Sequence, residues 1–167
     1  RAVIWTQGCI HNCYGCHKPQ THSLNDGFIV DTEQIKQELE TLSAEEGITF
    51  SGGDPMLQVD ACLDIARRAK ELNLNIWCYT GYTFEQLKKM SKFKPSLIEF
   101  LNLIDVLIDG KFVLEEKSLN LKFRGSRNQR AIDPKKSLIE GKPIIIERLM
   151  VEDDNQVIKK IEEELFI

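Results

Sequence analysis

Three cysteines, Cys9, Cys13 and Cys16, stand in a C-x3-C-x2-C pattern within "TQGCIHNCYGC", and the next cysteine is not met until Cys62. Thiolates at this spacing are metal or cluster ligands in a reducing compartment, since five cysteines, an odd number, suit a secreted disulfide framework poorly. Two chemistries compete. Structural zinc closes at four ligands, so a Cys3His site would draw on His11, His17 or His22. A protein-held cubane normally takes four thiolates, and three leave one iron open, an arrangement that makes sense where a substrate or cofactor binds the metal.

The elements that must hold these residues are legible from periodicity. "RAVIWT" reads as a strand over 2–6 that runs into the cysteine loop. Ile35, Leu39 and Leu42 share a helical face, with Asp31 and Gln34 set for a capping box. A strand over 48–51 breaks at Gly52 and Gly53, and Cys62, Ile65, Ala66, Ala69 and Leu72 mark an amphipathic helix after it. A strand over 75–80, a helix opened by Thr83 with Gln86 three residues on, and a buried strand near 105–109 repeat the scheme. Beyond Lys111 the pattern weakens: "LKFRGSRNQRAID" reads as extended, "KPIIIERLMV" as a strand, and Asp153 or Asp154 as the cap of a last helix carrying Val157, Ile158, Ile161 and Leu165.

Strand and helix alternation implies an α/β fold with a parallel sheet, read as one domain over 1–167 because no Pro-, Gly- or Ser-rich linker divides it. In such sheets functional loops gather at the carboxyl ends of the strands, which would bring together 7–18, 52–55, 80–82 and 109–111. The chain is 42% hydrophobic and 29% charged, and its net charge of -4 argues against a nucleic-acid partner. No run approaches the ~18 apolar residues of a membrane span and no signal peptide opens it, so a cytoplasmic location without membrane contact is expected. Arg1 enters directly as a strand, which is consistent with a natural N-terminal segment ahead of it.

The cysteine signature followed by "SGGDP" resembles the radical S-adenosylmethionine enzymes. "TQGC", "GCH", "SGGDP", "WCYTGYTFE", "DVLIDGKF" and "FRGSRNQR", in this order from Arg1 to Asp133, resemble the glycyl-radical activating branch, most closely the activators of anaerobic ribonucleoside-triphosphate reductase. The resemblance implies a partial, laterally open TIM-like barrel of parallel βα units, for which 167 residues suffice where a complete barrel takes about 250. It implies a [4Fe-4S] cluster on Cys9, Cys13 and Cys16, with S-adenosylmethionine chelating the fourth iron. Gly52, Gly53, Asp54 and Pro55 would form the loop that receives the methionyl ammonium, with Thr80, Gly81 and Tyr14 around the cofactor. Asp109 and Lys111 would serve the reaction nearer the substrate.

The implied activity is reductive cleavage of S-adenosylmethionine to a deoxyadenosyl radical that takes hydrogen from a glycine. That glycine would belong to the C-terminal loop of the large reductase subunit, with flavodoxin or ferredoxin as electron donor. Rival readings are an activator of another glycyl-radical enzyme, a small-molecule radical enzyme, and a non-catalytic zinc or iron-sulfur module. Lys18 stands where the family commonly has Asn, Gly15 where radical enzymes often have an aromatic residue, and the extension 134–167 matches no motif. The donors of Arg124–Arg130 suit a carboxylate, a phosphate or a partner loop. Cys62 and Cys78 read as small core residues.

Overall fold

The computed structural model describes residues 1–152; the expected helix beyond Asp153 lies outside them. Five strands form one open sheet in the order β1 to β5: β1 (Ala2–Thr6), β2 (Gly47–Gly52), β3 (Asn75–Tyr79), β4 (Val106–Asp109) and β5 (Arg130–Ile132). The first four run parallel and β5 returns antiparallel to β4. Helices α1 (Thr32–Glu40), α2 (Val59–Glu71), α3 (Phe84–Met90), α4 (Ser96–Leu103) and α5 (Pro134–Glu140) all pack on one face.

Alternation along the strands decides which face each side chain joins. Ile48, Phe50, Ile76, Cys78 and Leu107 point to the helices and are fully buried, with Phe50 meeting Phe100 of α4 edge to face at 5.4 Å between ring centroids. The intervening Val3, Trp5, Trp77, Tyr79, Val106 and Ile108 occupy the opposite face. Toward β4 and β5 that face is covered by Ile146, Leu149 and Met150; toward β1 it is open, leaving Trp5 52% exposed. Among the described residues no helix is long and apolar enough to cross a membrane.

The structure corrects the expectation at several points. One strand of the sheet is antiparallel, so the sheet is mixed. The segment 143–151 is not a strand: only Ile145 bridges to Ile132, and a short 3-10 turn, Glu147–Leu149, follows. Helices α4 and α5 add to the expected set. Asp31 caps α1 through the Glu33 N–H at 3.0 Å, while Gln34 turns to Glu38 instead of closing a capping box. Thr83 and Gln86 do form the reciprocal box that opens α3.

Candidate metal centre

Parallel pairing puts the carboxyl ends of β1 to β4 at one end of the sheet, and the cysteine loop leaves from there. Its base is tied down by backbone bonds from Gly8 N–H to Thr21 O at 2.9 Å and from Cys9 N–H to His22 O at 3.0 Å. Left-handed conformations at Asn12 (φ 47°) and Gly15 (φ 73°) wind the chain between the cysteines, and Cys16 N–H closes onto Cys13 O at 3.2 Å. All three thiols are free and half-buried. Burial pushes the Cys9 thiol up, with Asp54 and Cys13 adding to the rise, while the nearby backbone N–H groups of His11 and Asn12 oppose it.

Among the described residues no three His, Cys, Asp or Glu side chains gather around a single-ion position. Three free, half-buried thiols on one loop are a donor set that fits a cubane cluster.

The glycine loop after β2 lies directly on this one. Gly53 N–H donates to Thr6 O and Asp54 N–H to Gly8 O, both at 2.7 Å. Gly52 sits at φ +106°, and a Cβ on Gly53 would lie 2.1 Å from the Gly8 carbonyl oxygen, so neither position admits a side chain as built. Pro55 follows as the first residue of a short 3-10 turn, Pro55–Leu57, capped by Asp54 through Met56 N–H at 3.0 Å.

The Asp54 carboxylate, expected to meet an ammonium, is 1% exposed and filled by the chain's own donors. It accepts the Thr80 hydroxyl at 2.9 Å, Gly81 N–H at 3.0 Å and His11 Nε2 at 2.6 Å. Since a carboxylate only accepts, Nε2 carries the hydrogen. The His11 ring meets Tyr82 edge to face at 4.5 Å and lies where a Gly81 Cβ would be 2.3 Å away. Burial, with Asp54 and Cys9 nearby, also raises the Tyr82 phenol. Thr80 and Gly81 are thus fastened to the cysteine loop through Asp54 and His11. Tyr14 projects outward, 83% exposed.

Asp109 and Lys111 are separated by burial. Asp109 is 0% exposed and accepts Phe84 N–H at 2.7 Å and the Arg130 guanidinium at 2.9 and 2.5 Å; Arg130 also pairs with Glu85. Lys111 is exposed, and its carbonyl accepts from Asn128 Nδ2 at 2.8 Å. Much of the 124–130 segment's donor capacity is spent internally: Arg124, 7% exposed, donates to the carbonyls of Arg127, Gln129 and Met150, and Gln129 bonds Gly110 O, Gly125 N–H and Ser126 N–H. Sequence reasoning missed the pairing of His11 with Asp54; the only local signal was a histidine placed between two of the cysteines.

The sequence matches the family model of a 4Fe-4S single cluster domain over residues 1–132. A protein of Haemophilus influenzae is 36% identical over 137 residues, covering 77% of this chain and 84% of the relative. One of Escherichia coli K12 is 36% identical over 137 residues, covering 77% and 85%. One of Enterobacteria phage T4 is 34% identical over 138 residues, covering 78% and 81%. All three are named anaerobic ribonucleoside-triphosphate reductase-activating protein. A cysteine loop seated on a glycine loop, inside a matched single-cluster domain and at this identity over most of each relative, means that the chain belongs to the family of anaerobic ribonucleoside-triphosphate reductase-activating proteins.

Proposed function

We propose that this chain is a radical S-adenosylmethionine enzyme that activates an anaerobic ribonucleoside-triphosphate reductase, with the open sheet as part of a laterally open (βα) barrel. The observation that carries the reading is the backbone-to-backbone seating of the three-cysteine loop on Gly52–Asp54, which holds the three thiols beside the glycine loop. Cys9, Cys13 and Cys16 hold a [4Fe-4S] cluster as thiolates, leaving one iron for S-adenosylmethionine. When bound, the reduced cluster and this cofactor supply one-electron cleavage of a carbon-sulfur bond and a fragment that takes hydrogen from a glycine α-carbon.

The chain's own residues bind and orient. Gly52 and Gly53 let the glycine loop close onto Thr6 and Gly8, leaving its carbonyls to receive the ammonium, while Asp54, occupied by Thr80, Gly81 and His11, keeps the loops in register. Pro55 stiffens the exit of the glycine loop, and Tyr14, standing out from the cysteine loop, borders the cofactor. Asp109 positions β5 and α3 through Arg130, and Lys111, free of burial, faces the partner. The open end of the sheet toward β1 receives the glycine-bearing C-terminal loop of the large reductase subunit. A flavodoxin or ferredoxin donates the electron, which places the reaction in the cytoplasm.

The test is anaerobic reconstitution with iron and sulfide, reduction, addition of S-adenosylmethionine, and chromatography for deoxyadenosine, followed by electron paramagnetic resonance of the supplied reductase. Deoxyadenosine from the intact chain, none from the Cys9, Cys13 and Cys16 to Ala variant, and a glycyl radical on the reductase are expected. Cofactor cleavage with no radical on the reductase reassigns the chain to another substrate; bound zinc, or a cluster that cleaves nothing, removes the enzyme reading.

A further inference from the structure

The connection from β4 to β5 reaches the cysteine loop from across the sheet. β1 and β4 are separated by β2 and β3, so a contact between the loops that follow them spans the carboxyl end of the sheet. That contact is Leu114 on Gly15: a Cβ on Gly15 would lie 3.0 and 3.2 Å from the two Leu114 methyl carbons. Gly15, at φ 73°, belongs to the turn that Cys16 N–H closes onto Cys13 O, so Leu114 lies on the turn that carries two of the three thiols.

Leu114 is held there from behind. It opens a short 3-10 turn, Leu114–Glu116, against which the 124–129 segment is tied: Val113 N–H donates to the hydroxyl of buried Ser126 at 3.1 Å, Arg127 N–H donates to Glu116 O at 2.9 Å, and Lys117 bridges Ser126. Gln129 is the knot. Its Oε1 accepts Gly125 N–H at 2.8 Å and Ser126 N–H at 3.2 Å, while its Nε2 donates to Gly110 O at 3.0 Å, so one amide fastens the segment to the exit of β4. A carboxylate or an ammonium in its place could make only part of this set.

We propose that the β4–β5 connection is a cover for the metal centre: Leu114 holds the Cys13–Cys16 turn shut, and Gln129 is the positioning residue that keeps Leu114 on it. The apolar shell around a metal site controls solvent access to the metal. Leu114 contributes to that shell without offering a ligand atom. The consequence for a cluster rests on the cluster reading above; the closure of the thiol turn does not.

The wild-type chain, Leu114→Ala, Leu114→Met, Gln129→Met and Leu119→Ala are prepared metal-free, pulsed with iodoacetamide and mapped by peptide mass spectrometry. Cys62 and Cys78, 2% and 0% exposed, report on general unfolding in the same samples, and Leu119, 62% exposed on the same connection, is the control. We expect Cys13 and Cys16 to be labelled several-fold faster in Leu114→Ala and Gln129→Met, and at the wild-type rate in Leu114→Met and Leu119→Ala, with Cys62 and Cys78 silent throughout. Wild-type labelling in Leu114→Ala overturns the proposal. So does a gain matched by Leu119→Ala, or one shared by Cys62 and Cys78, which would make Leu114 a part of the core and not a cover. Wild-type labelling in Gln129→Met overturns the role given to that residue. The same chains are then reconstituted anaerobically with iron and sulfide and mixed with a ferrous chelator. Iron should leave Leu114→Ala several-fold faster than wild type, and an equal rate overturns the cover as a shield of the metal. A wild-type chain that takes up no cluster sinks the cluster reading instead, while the thiol labelling still decides whether the turn is covered.

Discussion

Gly53 and Gly110 separate two reasons for glycine. At Gly53 the obstacle is backbone: an added Cβ would lie 2.1 Å from the Gly8 carbonyl oxygen, which cannot move without breaking the Asp54 N–H bond it accepts. Gly110 sits at φ +98° with nothing within 3.8 Å of the same atom, so only backbone strain opposes a methyl group there. Gly53→Ala is expected to cost about 3 kcal/mol, at the upper end of overpacking, and to lower iron uptake on reconstitution. Gly110→Ala should cost about 1–2 kcal/mol, the left-handed penalty alone. Urea denaturation of both variants tests the ranking, and equal losses would show that the two loops are not in the contact described.

The elements owe their ends to a few side chains. Thr83 and Gln86 close both halves of a capping box at the start of α3, so Thr83→Ala should lose about 1 kcal/mol in urea melts. Asp109 couples three elements at once, accepting from Phe84 at the head of α3 and from Arg130 on β5 while ending β4. Asp109→Ala leaves the guanidinium half-paired against an emptied pocket, and a loss of about 3 kcal/mol is expected. Lys111, two residues on and exposed, should behave oppositely: Lys111→Ala should leave stability within about 0.5 kcal/mol while lowering glycyl radical formed on the reductase. A Lys111→Ala chain that melts early, or that activates the reductase fully, would move the residue out of that role.

For the whole molecule, carboxylates paired across elements set the response to acid. The Arg130 guanidinium holds the Glu85 carboxyl down to about 2. Burial pushes Asp105 up, but hydrogen bonds from Lys135, Lys70 and Ile76 N–H outweigh it and leave it lowered. Folded values below the unfolded ones mean stability that is present above about pH 4.5 and is lost as pH falls toward 2. Glu85 is half-exposed, so solvent screening keeps its share small. Thermal melts should show the midpoint falling over this window, with Glu85→Gln slightly less stable at neutral pH and a shallower acid limb. Parallel acid limbs in the two chains would remove Glu85 from the account.

Local chemistry was enough for the cysteine loop, the glycine loop, the strands β1 to β4 and the amphipathic helices α1 to α3, because each is encoded by neighbours in sequence: alternating apolar residues, a 3.6-residue stripe, a Thr three positions before a Gln. The short apolar helix α4 carries no such local signal, because "LIEFLNL" suits a buried helix or a strand equally. "KPIII" has strand composition yet, among the described residues, forms one bridge, to β5, which is three residues long. The site's wiring could be decided only by folding. Asp54 meets Thr80 across 26 residues and His11 across 43, and Arg130 meets Asp109 across 21. No periodicity reports on such pairs; they exist because parallel pairing brings the strand ends to one edge, where buried polar groups must find partners in one another.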